Sequence, residues 1–279
     1  MLYALPPLAA ESIFNIGTFS VTNTYINSTL TVILFVILAF FVKRSIKEVP
    51  TGIQNFFEFI IETLLTYFDQ VTGDRKKSLK FLPLIGTLFL FIVVSNWIGL
   101  LPGVGSVGIH RGAEFIPLFR GANTDLNLTL AMAVFGVIAS HVIGIGTIGF
   151  WRYFNKFIKA GDIVKSFKSK NFMIVFTAFI EFGVGLIEIV SEIAKLFSLS
   201  LRLFGNVFAG EVLLTVLGSI IAYAVPLPFI ALELLVGLIQ ATVFSLLVLV
   251  YISVATMPLP DHGHNDKKKH GHDLEPAHN

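Results

Sequence analysis

Glu188-Ile-Val-Ser-Glu-Ile-Ala-Lys-Leu-Phe-Ser-Leu-Ser-Leu-Arg-Leu-Phe-Gly-Asn-Val-Phe-Ala-Gly-Glu211 decides the fold of this chain. It sits in an apolar run with no proline from Asn171 to Ala224, yet it carries Glu188, Glu192, Lys195, Arg202 and Glu211. A charge at bilayer depth costs at least ~2.5–3.5 kcal/mol on insertion scales, so each is a functional candidate. Glu181, Glu188, Lys195 and Arg202 recur every seven residues. A helix drifts only ~20° per heptad, which puts all four on one face. Asn206 lies one turn beyond Arg202 and shares that face. Glu211 is nine residues past Arg202, roughly 180° round the helix, and faces different neighbours.

Outward from this run, the composition bounds the class. The 279 residues are 54% hydrophobic and 14% charged, against ~25% charged for average soluble chains. Several apolar runs reach the ~20 residues that cross a bilayer. The expected fold is all-α and polytopic. There is no cysteine, which excludes disulfides, thiolate metal sites and cysteine catalysis. Residues 1–23 carry no Lys or Arg, so no signal-peptide n-region is read there, and an extracytoplasmic N-terminal segment is expected.

The membrane domain is expected over 24–257, with ordinary spans at about 24–42, 81–101 and 125–151. Residues 51–71 place Ile53, Phe57, Ile60, Ile61, Leu64 and Phe68 at helical spacing, with Gln54, Glu58, Glu62 and Asp69 on another side. This reads as an interfacial helix, with a second full span as the alternative. Asp125 is read as a helix cap. Gly136, Ser140, Gly144, Gly146 and Gly149 form a small strip suited to close packing, and His141 is read as a packing residue. Residues 102–123 read as a loop, and 258–279 as a polar tail with Lys267 to Lys269 and five histidines.

Charge bias orders these pieces. Of the 20 Lys and Arg, sixteen lie in the segments around 43–47, 75–80 and 152–170 and in the tail. Arg111 and Arg120 lie in the 102–123 loop, and Lys195 and Arg202 lie inside the long run. With the 152–170 loop and the tail on the same, cytoplasmic side, 171–223 must cross once. A straight helix of that length measures ~80 Å against a ~30 Å hydrocarbon core. Two long, strongly tilted helices at about 171–223 and 229–257, forming a hairpin joined outside at Pro226 and Pro228, satisfy the constraint. A split near Lys195 into two ordinary spans is the rival, and it places the tail outside.

On the last helix Glu233 and Gln240 are seven apart and share a face. An antiparallel hairpin brings Glu211 toward Glu233, and carboxylates in poorly solvated places suit proton transfer near neutral pH. Arg202 cannot deprotonate and acts as a fixed cation. Glu188 lies toward the inner side. A structural hydrogen-bond network among Glu211, Glu233, Gln240 and Arg202 is the bland alternative.

Ser200-Leu-Arg-Leu-Phe-Gly-Asn-Val-Phe-Ala-Gly-Glu211 resembles the signature segment of subunit a of the rotary F-type ATP synthase. Asn123-Thr-Asp-Leu-Asn-Leu-Thr129 and Glu233 with Gln240 resemble two further motifs of that family, in the same order. The likeness runs from the first span to Met257, and the histidine-rich tail stands outside it. It implies a proton-translocating stator subunit, with Arg202 facing the carboxylate of a ring of c subunits. Glu211, Glu233, Asn206 and Gln240 would belong to an outer half-channel or its junction with the ring, and Glu188 to an inner one. The implied partners are the c-subunit rotor ring, peripheral-stalk b subunits, the lipid bilayer and, indirectly, the ATP-synthesising soluble sector; no nucleic acid is expected. The implied place is a bacterial plasma membrane, N-terminus outside and C-terminus cytoplasmic. GxxxxGK[ST] is absent, so no nucleotide site, catalytic residue, metal or cofactor is expected in this chain. A self-contained channel or transporter, or the same subunit coupled to Na⁺, are the alternatives.

Overall fold

In a computed structural model, residues 7, 9–44, 46–101, 104, 107–111, 114–158, 172–220 and 226–257 are described. The tail with its lysines and histidines, most of the basic 152–170 loop and the 221–225 turn lie outside them. Among the described residues seven α-helices carry the chain: α1 Asn23–Arg44, α2 Ile53–Thr72, α3 Arg75–Gly99, α4 Leu126–Ile148, α5 Phe150–Ile158, α6 Phe172–Ile220 and α7 Pro226–Ala255. Five are long and apolar enough to cross a membrane: α1, α3, α4, α6 and α7. Helices are the form expected of an open chain there, because each backbone N–H and C=O must find its partner within the segment. The protein is an all-α polytopic membrane protein.

The long central run is one unbroken helix of 49 residues, with no split at Lys195. At 1.5 Å per residue it measures ~74 Å, more than twice a hydrocarbon core, so it cannot stand upright across one. It packs on α4 and α7, while α7 also packs on α2, α3 and α4. The core where these helices meet holds Phe68, Ile85, Ile92, Leu199, Leu203, Phe244, Val248 and Ile252, all nearly inaccessible. Lipid tails are as apolar as these side chains, so fit and polar contacts, not water exclusion, hold the helices together.

The small strip of α4 divides in two. Gly136, Ser140 and Gly144 are buried. A Cβ on Gly136 would stand 2.9 Å from Val248 of α7, and one on Gly144 would stand 2.7 Å from Tyr153 and 2.9 Å from the Ala255 carbonyl. Gly146 meets nothing within 4 Å. The third apolar run also stops earlier than its hydropathy suggested. α4 ends at Ile148, Gly149 takes φ 95°, and the chain starts afresh as α5. A positive φ is easy for glycine and strained for other residues, which is why the break falls there.

Two short antiparallel hairpins were not expected from the sequence: β1 Ser12–Ile16 with β2 Phe19–Thr22, and β3 Gly108–Arg111 with β4 Glu114–Pro117. The second occupies the segment read as loop. Strands of four or five residues are too short for alternation to stand out from a glycine- and proline-rich background. α1 is tied to the rest at its first turns by polar residues. Thr24 Oγ1 donates to Asp125 Oδ2 at 3.1 Å, and Asn27 Nδ2 donates to the Arg120 carbonyl at 2.8 Å. Asp125 also caps α4, accepting from the Asn127 N–H at 2.9 Å.

Gly136→Val should lower the thermal stability of the purified protein, since overpacking costs about 1–3 kcal/mol. Gly146→Val should change it far less. Melting of both variants in the same detergent checks the contrast.

Candidate functional site

Two groups of polar side chains sit inside this apolar bundle, one on each side of Arg202 along α6. The first is built where α6 and α7 pass the end of α3 and the segment leading into α4. Glu211 forms a forked ion pair with Arg120: Nε donates to Oε1 at 3.0 Å and Nη2 to Oε2 at 2.9 Å. Arg120 is only 4% exposed and Glu211 27%. The guanidinium also donates to the carbonyls of Pro7 at 2.8 Å and Ala9 at 3.3 Å. Its donors therefore have a carboxylate and two carbonyls in place of water. The planar fork of arginine suits this arrangement and a lysine would not reproduce it.

A cavity of ≈ 520 Å³ opens here, lined among others by Arg120, Glu211, Glu233, Asn96 and Thr215. The Glu233 carboxyl lies directly against Gly210, where any Cβ would collide with it. Glycine at 210 is thus what lets α7 bring its carboxyl onto α6. The structure brings Glu211 and Glu233 into one cavity, but Glu211 is engaged by a cation from a third segment. On α7 the face that carries Glu233 continues through Gly237 to Gln240, at spacings of four and three residues. Asn96 Nδ2 donates to the Gly237 carbonyl at 3.3 Å, and Asn123 Nδ2 donates to Asn96 Oδ1 at 2.7 Å. Gln240 is 7% exposed, and its Nε2 has no partner among the described residues.

The second group lies at the opposite side of Arg202, where α4, α5, α6 and α7 converge. Lys195 Nζ donates to Glu192 Oε1 at 2.6 Å and lies 5.1 Å from the centre of the Tyr251 ring. Glu192 Oε2 is 3.6 Å from His141 Nε2, and His141 Nδ1 is 2.6 Å from Tyr153 Oη. Burial, then the charges of Glu192 and Glu188, push the Tyr153 phenol up to about 12. It stays a neutral hydroxyl at any pH the protein meets. Glu188, half-buried, belongs to this neighbourhood.

Arg202 itself stands apart. Leu199, Ser200 and Leu203 around it are buried, and Arg202 is exposed. Among the described residues it makes no hydrogen bond and no ion pair. Asn206, one turn on, is partly buried. Glu181 lies outside the side chains described. On the helix axis Lys195 is ~10.5 Å before Arg202 and Glu211 is ~13.5 Å after it. Among the described residues no hydrogen bond or ion pair joins the two groups.

Sequence reasoning missed Arg120 and Asn96 as members of the first group. In the sequence Arg120 is one of two arginines in the 102–123 loop, with nothing nearby to mark its partner. A lone amide in an apolar span, as at Asn96, is a weak signal, and its partners on α7 and before α4 are remote in sequence.

The family model of the ATP synthase A chain matches residues 25–253. Among curated proteins, the chain is 34% identical to an ATP synthase subunit a of Geobacter sulfurreducens, covering 80% of this chain and 82% of that one. It is 30% identical to one of Trichlorobacter lovleyi, covering 82% and 85%, and 32% identical to one of Campylobacter jejuni, covering 82% and 87%. The matched region takes in α3, α4, α6 and almost all of α1 and α7, and with them both polar groups and Arg202. This chain belongs to the ATP synthase A chain family.

Proposed function

We propose that this protein is the proton-translocating stator subunit of a rotary ATP synthase. The observation that carries this reading is Arg202: a permanent cation, exposed on an apolar helix, with no hydrogen bond or ion pair among the described residues, between two polar groups that no described hydrogen bond or ion pair connects. A charge so placed needs an opposite charge from outside the chain, because leaving it alone in lipid costs several kcal/mol. A carboxylate on a ring of c subunits passing that face supplies it. The exposed apolar side chains Phe197 and Leu201 beside it suit a helical partner.

The group at Glu211, Glu233, Asn96 and Gln240 is the outer half-channel in this reading, and Asn206 lies at its junction with the ring. Glu233 is the proton-carrying carboxyl there. Glu211 is a fixed anion held by Arg120. The unpaired amide of Gln240 suits contact with water or with the ring. The group at Glu188 and Glu192 lines the inner half-channel. Protons fall across ~2.3 kcal/mol per charge for each 100 mV. They neutralise a ring carboxylate from one side, the ring turns through lipid, and the other side receives them. Arg202 keeps the two routes separate, so passage requires rotation. The subunit sits in a bacterial plasma membrane with the Pro226–Pro228 end of α7 outside and the tail inside. Peripheral-stalk b subunits hold it against the turning ring, and nucleotide chemistry belongs to the soluble sector.

The orientation is checked by single cysteines, which the cysteine-free chain makes clean. One at Leu227 should react with an impermeant reagent only from outside, and one at Gly263 only from inside. Labelling of both from one side overturns the arrangement.

Arg202→Ala should abolish proton-driven ATP synthesis, leave assembly intact and open a passive proton leak. Arg202→Lys should also fail in coupled synthesis, because a desolvated lysine can deprotonate and lacks the fork. Flux and synthesis are measured in the same vesicles; near-normal coupling in either variant is incompatible with a charge barrier.

Glu233→Gln should slow synthesis without loss of the complex. Arg120→Gln should instead destabilise, since it strands the Glu211 carboxylate; breaking a fully buried pair costs about 3–5 kcal/mol, and the 27% exposure of Glu211 brings the expected loss below that. Arg120→Gln combined with Glu211→Gln should regain much of that loss. A double-mutant cycle on melting temperature reads the coupling.

A further inference from the structure

The polar group on the inner side contains more than the fixed and lining charges used above. His141 comes from α4, Tyr153 from α5, and Glu188, Glu192 and Lys195 from α6, with Tyr251 of α7 beside Lys195. Tyr153 and Glu192 face the imidazole directly; Glu188 acts on Tyr153, Lys195 pairs with Glu192, and Tyr251 lies beside Lys195. Arg152, next to Tyr153, is exposed. The ring of His141 is hydrogen-bonded at Nδ1 to the phenol at 2.6 Å, and its Nε2 faces the Glu192 carboxylate across 3.6 Å, an ion pair when the ring is protonated. Its side chain is 29% exposed and Glu192 is 18% exposed, so the pair is neither sealed nor fully solvated.

The geometry points to His141 as a proton-binding station on the inner route, with Glu192 as its counter-charge and Tyr153 as its positioning partner. The inference rests on the reading of the inner side given above. Imidazole is the side chain whose ordinary titration falls between about pH 5 and 8. In the neutral ring, Nε2–H points to Glu192 and the Tyr153 hydroxyl donates to Nδ1. When a proton released by a ring carboxyl reaches His141, it binds at Nδ1. The hydroxyl then turns and accepts from Nδ1–H, while Nε2–H stays on Glu192. The positive charge gained on the imidazole is offset by the carboxylate. Release to water on the inner face reverses these steps and restores the neutral ring. A phenol both donates and accepts, so one neighbour serves both states. It can do so only while it keeps its own proton, and its burial among carboxylates ensures this. Gly144 contributes too: with no side chain there, the Tyr153 ring lies close enough to α4 to reach His141.

A simple packing histidine would need a partner, but not one that can reverse its donor role. Tyr153→Phe separates the two. It keeps the ring that fills the space by Gly144 and removes only the hydroxyl. The experiment uses the whole synthase in liposomes, with the membrane potential clamped. ATP synthesis is followed while inner pH is varied at fixed outer pH, and then the reverse. Assembly is checked by copurification of the c ring. The native protein should show a step in synthesis as inner pH is varied. His141→Gln should lose that step, and Tyr153→Phe should shift it, while both leave the outer-pH profile unchanged. Inner-pH profiles identical to native in assembled His141→Gln overturn the station. If that variant does not assemble, a native inner profile in Tyr153→Phe overturns it. Arg202→Ala in the same liposomes keeps the two ideas apart. Coupled synthesis retained there removes the general mechanism; coupling lost there, with native inner profiles in the histidine and tyrosine variants, removes only the station.

Discussion

A charge inside a bilayer must meet an opposite charge, a dense set of hydrogen-bond partners, or water. This requirement organises the molecule. Glu211 meets Arg120, and Arg120 in turn meets two carbonyls of the N-terminal segment. Glu192 meets Lys195 and His141. These pairings pull together parts of the chain that apolar packing alone would leave in many equivalent arrangements, since leucine gains little from exchanging a lipid tail for another leucine. Among the described residues Arg202 makes no such pairing, and that is where the chemistry is proposed to occur.

The scaffold explains how one helix carries both polar groups without short-circuiting them. α6 is one continuous rod over its 49 residues, so its side chains keep fixed angular and axial offsets. Glu211 turns toward α7 and the segment before α4. Glu192 and Lys195 turn toward α4 and Tyr251 of α7. Between them Leu199 and Leu203 are packed to near-zero exposure. The buried hydroxyls of Ser200 and Thr129, 3.3 Å apart, lie at the same level and are occupied with each other.

Glycine contributes by absence at the contacts that matter most. At Gly210 it admits the Glu233 carboxyl, at Gly136 the Val248 side chain, and at Gly144 the Tyr153 ring and the end of α7. Each is a place where two helix backbones, or a backbone and a functional group, come closer than a methyl allows. In a bilayer such close approach is a main source of helix association.

The sequence by itself determined the class and much of the layout. Length and hydropathy call for helices long enough to cross a membrane, because no other open-chain structure satisfies its backbone in lipid. Charge bias leads to the expectation that the 171–223 run crosses once, and the structure has one unbroken helix over Phe172–Ile220; a seven-residue recurrence leads to the expectation that Lys195 and Arg202 share a helix face. These are local or periodic properties, and helix geometry transmits them directly. Only the tertiary structure decided which charges are neutralised and by what. Arg120 and Glu211 are 91 residues apart, and His141 and Tyr153 belong to helices separated by a glycine kink. No period connects such residues; they meet because packed helices bring remote side chains within 3 Å or so of each other. For the same reason a loop arginine and a packing histidine, each unremarkable in the sequence, stand in the structure beside carboxylates.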